Sequence, residues 1–201
     1  MHITILNFSG KLGRGNCSSI TDHIKEKVRQ THEVHSFHVP SLHMIPCGGC
    51  QYSCLKPPKR QCDHLDDSAE LYKAICDSDA AFYLIPIYSD YPCAHYFIFH
   101  EKSQILSEEG FHRYSAIRKH FIFIANTGHE NLRHLVESEP GQDNDFLILS
   151  TRQFHSRSID GDLMEIPTCI QVLDDYIDSC LSCYSSPSST LSAGLLPSDP
   201  I

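Results

Sequence analysis

Two long apolar runs most constrain the fold of this chain. Residues 80–87 read AAFYLIPI and residues 119–127 read KHFIFIANT. Strands that are apolar on both faces are typical of a parallel sheet covered by helices on both sides. Shorter apolar or alternating stretches at residues 2–8, 33–39 and 145–151 predict three further strands. The sequence therefore predicts an α/β protein built on a five-stranded parallel sheet.

Helical patterns alternate with these strands, at residues 19–30, 66–77, 94–106, 130–137 and 168–183. Right-handed crossovers limit the possible topologies. Polar loops follow the first, third and fourth strands, which predicts one crevice at the carboxyl edge of the sheet. These features favour a flavodoxin-like three-layer sandwich with strand order 2-1-3-4-5. We expect residues 1–183 to form this single domain and residues 184–201, rich in Ser, Pro and Leu, to form a tail.

The composition limits which partners and which cellular compartment we expect for this protein. The 201 residues carry a formal net charge of −9, and no basic block interrupts them. Such a chain is a poor candidate for nucleic acid or for anionic membranes. The sequence starts with a strand pattern rather than a signal peptide, which predicts a cytoplasmic protein. Ten cysteines in a reducing compartment indicate metal or redox chemistry rather than disulfides.

The glycine-rich segment after the first strand is a candidate anion site. It reads SGKLGRGNCS over residues 9–18 and leads into a helix, whose free amides and positive dipole end attract a phosphate. Candidate contacts are Ser9, Lys11, Gly15, Asn16, Cys17 and Ser18. The segment matches neither GxGxxG nor GxxxxGK[ST], so an ordinary turn stays an alternative. One phosphate site beside aromatic residues such as Tyr88 and Tyr91 suits a flat mononucleotide, and FMN fits best.

Four cysteines are clustered in a second loop. Cys47, Cys50, Cys54 and Cys62 are spaced C-x2-C-x3-C-x7-C. Converging thiolates can hold an iron–sulfur cluster or zinc, and free thiols are the third interpretation. Near the carboxyl end, the Cys180-x2-Cys183 pair has no partner pair in the sequence, and we interpret it as structural thiols.

Over residues 1–130 the chain resembles the flavodoxin-like NAD(P)H-dependent FMN reductases, and especially their iron–sulfur flavoprotein branch. Phe8 to Ser18 is similar to the family loop GSPRxxGNT, with Gly15-Asn16 retained. The four cysteines followed by Asp66-Asp67 are similar to the family's cysteine motif. Residues 78–88, SDAAFYLIPIY, are similar to the run that precedes the flavin ring.

The resemblance implies an FMN-dependent oxidoreductase with NAD(P)H or a ferredoxin-like donor, and a 4Fe–4S cluster on the four cysteines. It implies flavin contacts at Pro86, Ile87, Tyr88, Ser89, Asn126, Thr127, Gly128 and His129. It also implies a homo-oligomer, either a dimer or a tetramer. No side-chain nucleophile is expected. The alternatives are a non-catalytic carrier of flavodoxin type and a zinc-binding interaction module.

Overall fold

The computed structural model describes residues 1–11, 13, 15–48, 50–56, 62, 66–126, 131–141 and 143–184. Its strands are β1 (His2–Asn7), β2 (Glu33–His38), β3 (Ala80–Tyr88), β4 (Tyr91–Pro92), β5 (Arg118–Ala125) and β6 (Asp145–Ser150). Its α-helices are α1 (Asn16–Val28), α2 (Ser68–Cys76), α3 (Ala94–Glu101), α4 (Glu108–Ala116), α5 (Leu132–Ser138) and α6 (Pro167–Ser182).

Five strands form a parallel sheet in the order β2-β1-β3-β5-β6. This is the flavodoxin-like order 2-1-3-4-5 that the sequence predicts, since β4 only extends a hairpin on β3. The hairpin turn uses Ser89 and Asp90, both with positive φ (48° and 71°). Two such residues in succession are typical of a tight type I′ turn.

Helices cover both faces of the sheet, as predicted for a three-layer sandwich. On one face, α1 and α6 pack over Ile3, Ile5 and Phe82. On the other face, residues of α2 to α5 pack over Leu6 and Tyr83. The alternation of neighbouring strand residues between two cores explains why β3 is apolar throughout.

One predicted helix is divided in the structure. Residues 94–106 were expected to be one helix, but α3 ends at Glu101 and a 3-10 turn follows over Lys102–Ile105. The sequence analysis did not predict α4, which begins after Ser107. The Ser107 hydroxyl accepts a hydrogen bond from the Gly110 amide at 3.0 Å and caps this helix. A strong N-cap so close to the end of α3 favours a new helix rather than a continuous one.

Within the described part of the chain, no helix has the length and the apolar surface that crossing a bilayer requires. The predicted tail, apart from Tyr184, lies outside the described residues.

Candidate functional site

A cavity of about 410 Å³ opens at the carboxyl edge of the sheet, between the ends of β1, β3 and β5. This is the switch point at which open α/β sheets bind ligands. Its lining brings together nine of the residues predicted for flavin binding: Ser9, Lys11, Gly15, Asn16, Cys17, Pro86, Ile87, Tyr88 and Asn126. The remaining lining residues are Ile124, Ser158 and Ile159.

The other predicted contacts are placed differently. Ser18 lies in the first turn of α1, where its hydroxyl accepts a hydrogen bond from Asn7 Nδ2 at 3.3 Å. Ser89 lies in the β3–β4 turn. Neither residue lines the cavity. Thr127, Gly128 and His129 lie outside the described residues.

The amino end of α1 forms one wall of the cavity. Gly15 is its N-cap, in an extended conformation, and no side chain caps the first turn. The first intrahelical hydrogen bond of the helix runs from the Ser19 amide to the Gly15 carbonyl at 2.9 Å. The amides that precede Ser19 in this turn therefore point toward the cavity end of the helix, where they can bind an anion.

The β1–α1 loop (residues 8–15) is held by short polar contacts. The Ser9 amide donates to Asn7 Oδ1 at 2.9 Å, and the Lys11 amide donates to the Ser9 hydroxyl at 3.3 Å. His38 Nε2, at the end of β2, lies 2.8 Å from the Ser9 carbonyl and is placed to donate to it. These contacts fix the backbone at Ser9 and Lys11 before any ligand binds, which lowers the entropic cost of binding.

Cys17 supplies an apolar surface rather than a reactive thiolate. Its side chain is buried in the core between the sheet and helices α1 and α6. Burial, together with the nearby Cys93 thiol, raises the pKa of Cys17 to about 12. A neutral thiol at this position does not repel an anion bound at the helix end.

The segment after β6 completes the cavity, and the sequence analysis missed it. Ser158 and Ile159 reach back over the β1–α1 loop, where Lys11 Nζ donates to the Ile159 carbonyl at 3.0 Å. The only signal in the sequence was the position of residues 151–162 after the carboxyl end of a strand.

Two asparagine side chains, the buried Asn16 and the exposed Asn126, tether this segment. Asn16 Nδ2 donates to the Ser158 carbonyl at 3.2 Å, and Asn16 Oδ1 accepts from the Leu163 amide at 3.1 Å. Asn126 Oδ1 accepts from the Ser158 amide at 2.8 Å and from the Thr151 hydroxyl at 2.7 Å. Asn16 and Asn126, both predicted to contact the ligand, therefore also hold in place the segment that forms this wall of the cavity.

The four clustered cysteines are all described, and none of them is fully buried. In the described chain, the only group of His, Cys, Asp or Glu with three donor atoms within 4.8 Å of one another lies elsewhere, at His120, Asp145 and Cys180. A tetrahedral zinc with bonds of about 2.3 Å would need thiolates about 3.8 Å apart. The four thiols are therefore not gathered at the spacing of a single zinc ion.

Two features of the cysteine loop (residues 47–62) favour thiolates. Although partial desolvation opposes it, hydrogen bonds from the Ser53 and Tyr52 backbone lower the pKa of Cys50. Lys102, whose side chain is fully buried, forms an ion pair of 2.6 Å with Asp66 and lies near the Cys47 and Cys62 thiols. Burial and the nearby Glu101 carboxylate nevertheless raise the pKa of Cys47. A buried cation near two of the four thiols suits an anionic group such as a thiolate-ligated cluster.

Asp66 and Glu101 anchor the beginning of this loop. Asp66 Oδ2 accepts from the Ile45 amide at 3.0 Å, and Glu101 Oε1 accepts from the Cys47 amide at 2.7 Å. Although burial opposes it, hydrogen bonds from Lys102, Ser68 and Ile45 lower the pKa of Asp66 to about 2. The aspartate that follows the cysteine motif is thus a structural anchor for that motif.

This fold, with a cavity at the β1–β3 switch point, defines a flavodoxin-like α/β protein. No protein-family model matches the sequence, and no curated protein matches it. Solved structures do match. A candidate quinone reductase from Klebsiella pneumoniae aligns at TM-score 0.61 and 10% identity, over 89% of this chain and 85% of the other.

Two further solved structures have the same fold. FerB from Paracoccus denitrificans, described as a flavoenzyme NAD(P)H:(acceptor) oxidoreductase, aligns at TM-score 0.53 and 11% identity, over 88% of this chain and 95% of the other. RosB, solved with bound 8-demethyl-8-formylriboflavin-5′-phosphate, aligns at TM-score 0.55 and 12% identity, over 100% of this chain and 92% of the other. At these identities the matches establish the fold alone.

Proposed function

We propose that this protein is an FMN-dependent oxidoreductase that takes electrons from NAD(P)H or a ferredoxin-like donor. The observation that carries the proposal is the cavity at the β1–β3 switch point, which combines an uncapped helix end with an aromatic side chain. Its volume of about 410 Å³ lies in the range of small-molecule sites. FerB is a flavoenzyme and RosB binds a flavin 5′-phosphate, and the likeness of this fold to both supports the same assignment.

In this proposal the phosphate binds at the amino end of α1. Backbone amides of Asn16 and Cys17 donate to its oxygens, and Lys11 supplies a positive charge on the adjacent loop. The ring system lies toward Pro86, Ile87 and Tyr88 at the end of β3. FMN, when bound, supplies the hydride and electron chemistry, so no side-chain nucleophile is required.

The exposed position of Tyr88 bears on access to the ring. Its side chain lies at the mouth of the cavity and is 58% exposed. An aromatic side chain at this place can cover one face of a flat ligand and leave room for a donor such as nicotinamide. NADH or NADPH is therefore proposed as the reductant that approaches from this side.

The cysteine loop is proposed to hold a 4Fe–4S cluster that relays single electrons between the flavin and a partner. The lowered pKa of Cys50 and the buried Lys102 support an anionic group on Cys47, Cys50, Cys54 and Cys62. The loop follows β2, whose last residue, His38, contacts the Ser9 carbonyl beside the proposed flavin site. We also propose a homodimer or homotetramer as the working form.

A pair of substitutions at Gly15 tests the phosphate site. Gly15 has an extended φ of −167°, so other residues fit its backbone, and an added Cβ would meet only the flexible Lys11 side chain. Gly15→Asp places a carboxylate at the N-cap, where it stabilises the helix but repels phosphate. Gly15→Asn is the neutral control of the same shape.

We expect Gly15→Asp to weaken FMN binding by about 100-fold, and Gly15→Asn by about 10-fold, when FMN fluorescence is titrated. Riboflavin, which lacks the phosphate, should bind both variants as it binds the wild type. The melting temperature should stay the same or rise. Equal losses for FMN and riboflavin would place the phosphate elsewhere and contradict the proposal.

Activity is tested by anaerobic turnover. NADH or NADPH should reduce the FMN-loaded protein and then an added quinone or dye acceptor over many cycles. FMN binding with no turnover for either nucleotide would instead favour a carrier of flavodoxin type. A preparation that gains no flavin absorbance on addition of FMN would overturn both.

The cluster is tested by Cys54→Ala, with Cys76→Ala as control. Cys76 is also partly buried, but it lies in α2, where its thiol donates to the Gly110 carbonyl at 3.6 Å. We expect Cys54→Ala to lose iron and the broad iron–sulfur absorbance while it retains FMN. Cys76→Ala should retain both. A wild type that, prepared anaerobically, holds no iron and holds zinc that Cys54→Ala loses would overturn the cluster.

A further inference from the structure

A second group of metal-ligating side chains lies at the opposite edge of the sheet. His120 is near the start of β5, Asp145 begins β6, and Cys180 lies in the last turn of α6. One donor atom from each lies within 4.8 Å of the other two. The parallel register pairs His120 with Asp145 directly, and α6 crosses over both. We propose that these residues, with Cys183, bind a structural Zn²⁺ ion.

The measured distances are close to those that zinc needs. His120 Nδ1 lies 2.8 Å from Asp145 Oδ1, and Cys180 Sγ lies 3.8 Å from the same oxygen. Bonds of about 2.0 to 2.3 Å in a tetrahedron put neighbouring donors about 3.3 to 3.8 Å apart. The sulfur–oxygen distance already fits, and the nitrogen–oxygen distance has to widen by about half an ångström. Zinc would also replace the hydrogen bond that the Tyr176 hydroxyl donates to the same Asp145 oxygen.

The neighbours of these donors resemble the outer partners of a metal site. His120 Nε2 lies 3.3 Å from the Tyr184 hydroxyl, which fixes the ring with Nδ1 toward Asp145. Arg118 Nη2 lies 3.0 Å from the other carboxylate oxygen of Asp145. Outer hydrogen bonds of this kind orient the ligands of a bound metal and are part of its affinity.

Cys183 is the proposed fourth ligand. It follows Cys180 by three residues, so both thiols lie on the same side of the helix end. Cys183 is exposed, and its thiol now lies 3.5 Å from the Ser179 carbonyl, a weak contact that zinc can replace. Two thiolates and one carboxylate, together with the Arg118 guanidinium, balance the charge of Zn²⁺. A neutral assembly suits a site whose His120 and Cys180 are buried.

This site is independent of the flavin proposal and assigns a role to the C-x2-C pair. Four protein ligands leave no open position, which is typical of a structural rather than a catalytic zinc. The bound ion would connect α6 to the two strands beneath it. It would thereby fix α6, which shares one helical layer with α1.

The experiment uses the full chain, dialysed against a chelator and then titrated with Zn²⁺ and with Co²⁺ as a spectroscopic probe. The variants are Cys180→Ala and Cys183→Ala, with Cys54→Ala to separate this site from the cysteine loop. The wild type and Cys54→Ala should bind one Zn²⁺ at this site and show a thiolate-to-cobalt band. Their melting temperatures should rise with Zn²⁺.

Each of the two test variants should lose more than about 100-fold in zinc affinity, because loss of outer partners alone costs 10- to 100-fold. Their melting temperatures should then stop responding to Zn²⁺. Wild-type affinity in Cys180→Ala would mean a hydrogen-bonded network only and would overturn the site. Wild-type zinc affinity in Cys183→Ala would show that Cys183 is not the fourth ligand. Cys183 is exposed, so its replacement does not threaten folding.

Discussion

The β1–α1 loop and the cysteine loop follow adjacent strands of one sheet, yet they are positioned by different means. The β1–α1 loop presents backbone amides at a helix end, so β1 and α1 themselves fix its donors. The beginning of the cysteine loop depends on side chains, namely the buried Asp66–Lys102 ion pair and the Glu101 carboxylate. A site built from backbone amides is positioned by the secondary structure itself. A site built from side chains requires further side-chain contacts to hold it in place.

The largest expected effect is on the cysteine loop. Asp66→Asn leaves the Lys102 ammonium buried without its counter-charge, and we expect it to lower the free energy of unfolding by about 3–5 kcal/mol. Iron should be lost, whereas FMN binding should persist at temperatures where the variant is folded. Urea denaturation and metal analysis measure these effects.

The neighbouring Asp67→Asn is the matched control. Asp67 accepts from the His43 amide at 2.6 Å in an exposed position. Its loss should cost less than about 1 kcal/mol, because Asn retains an acceptor and the site is solvated. Equal destabilisation by the two variants would mean that the ion pair does not hold the loop.

A smaller effect is expected from Asn16→Ala at the β1–α1 loop. Asn16 is buried and bonds both Ser158 and Leu163, so its loss releases the wall that closes the cavity. We expect FMN affinity to fall by about 10-fold, since two hydrogen bonds of about 1 kcal/mol are lost in part. Iron content should not change.

Asn131→Ala serves as the comparison for Asn16→Ala. This exposed residue precedes α5 and makes no capping side-chain bond there. FMN titration should give the wild-type value. A loss of iron in Asn16→Ala would contradict the independence of the two loops.

The pH dependence of stability provides a second test of the Asp66–Lys102 ion pair at the cysteine loop. The pKa of Asp66 is about 2 in the folded protein, below the 3.8 of an ordinary aspartate carboxyl, so the stability that Asp66 contributes is complete above the unfolded value. This contribution is lost as the pH falls through about 2. The stability difference between wild type and Asp66→Asn should therefore be constant from pH 5 to 7, within about 0.5 kcal/mol, and shrink below about pH 4. A difference that grows on acidification would contradict the lowered pKa.

The smallest effect is expected at Lys11. Its ammonium contacts the Ile159 carbonyl near the proposed phosphate position. Lys11→Met should weaken FMN binding by about 3- to 10-fold, as for one partly exposed charge, and leave riboflavin binding unchanged. The FMN effect should diminish in high salt. An unchanged FMN affinity of Lys11→Met at low salt would show that Lys11 does not contact the phosphate.

Local patterns were sufficient to predict many of the elements that build the cavity. The apolar runs of β3 and β5 predicted central parallel strands, and the glycine-rich turn predicted the end of α1. The helix α4 was missed because a lone serine such as Ser107 is ambiguous as a helix start until its hydroxyl is seen to accept from the Gly110 amide. The wall at Ser158 and Ile159 was missed because it lies more than 140 residues from its partner Asn16.

The sequence alone therefore determined the parallel sheet and the strand order, and it predicted the place of the proposed flavin site, because these depend on hydrophobic period and turn chemistry along the chain. The tertiary structure decided which distant side chains meet. It paired Asp66 with Lys102, closed the cavity with residues after β6, and brought Cys180 to His120 and Asp145. Such contacts depend on packing and register in three dimensions, which no local pattern in one sequence contains.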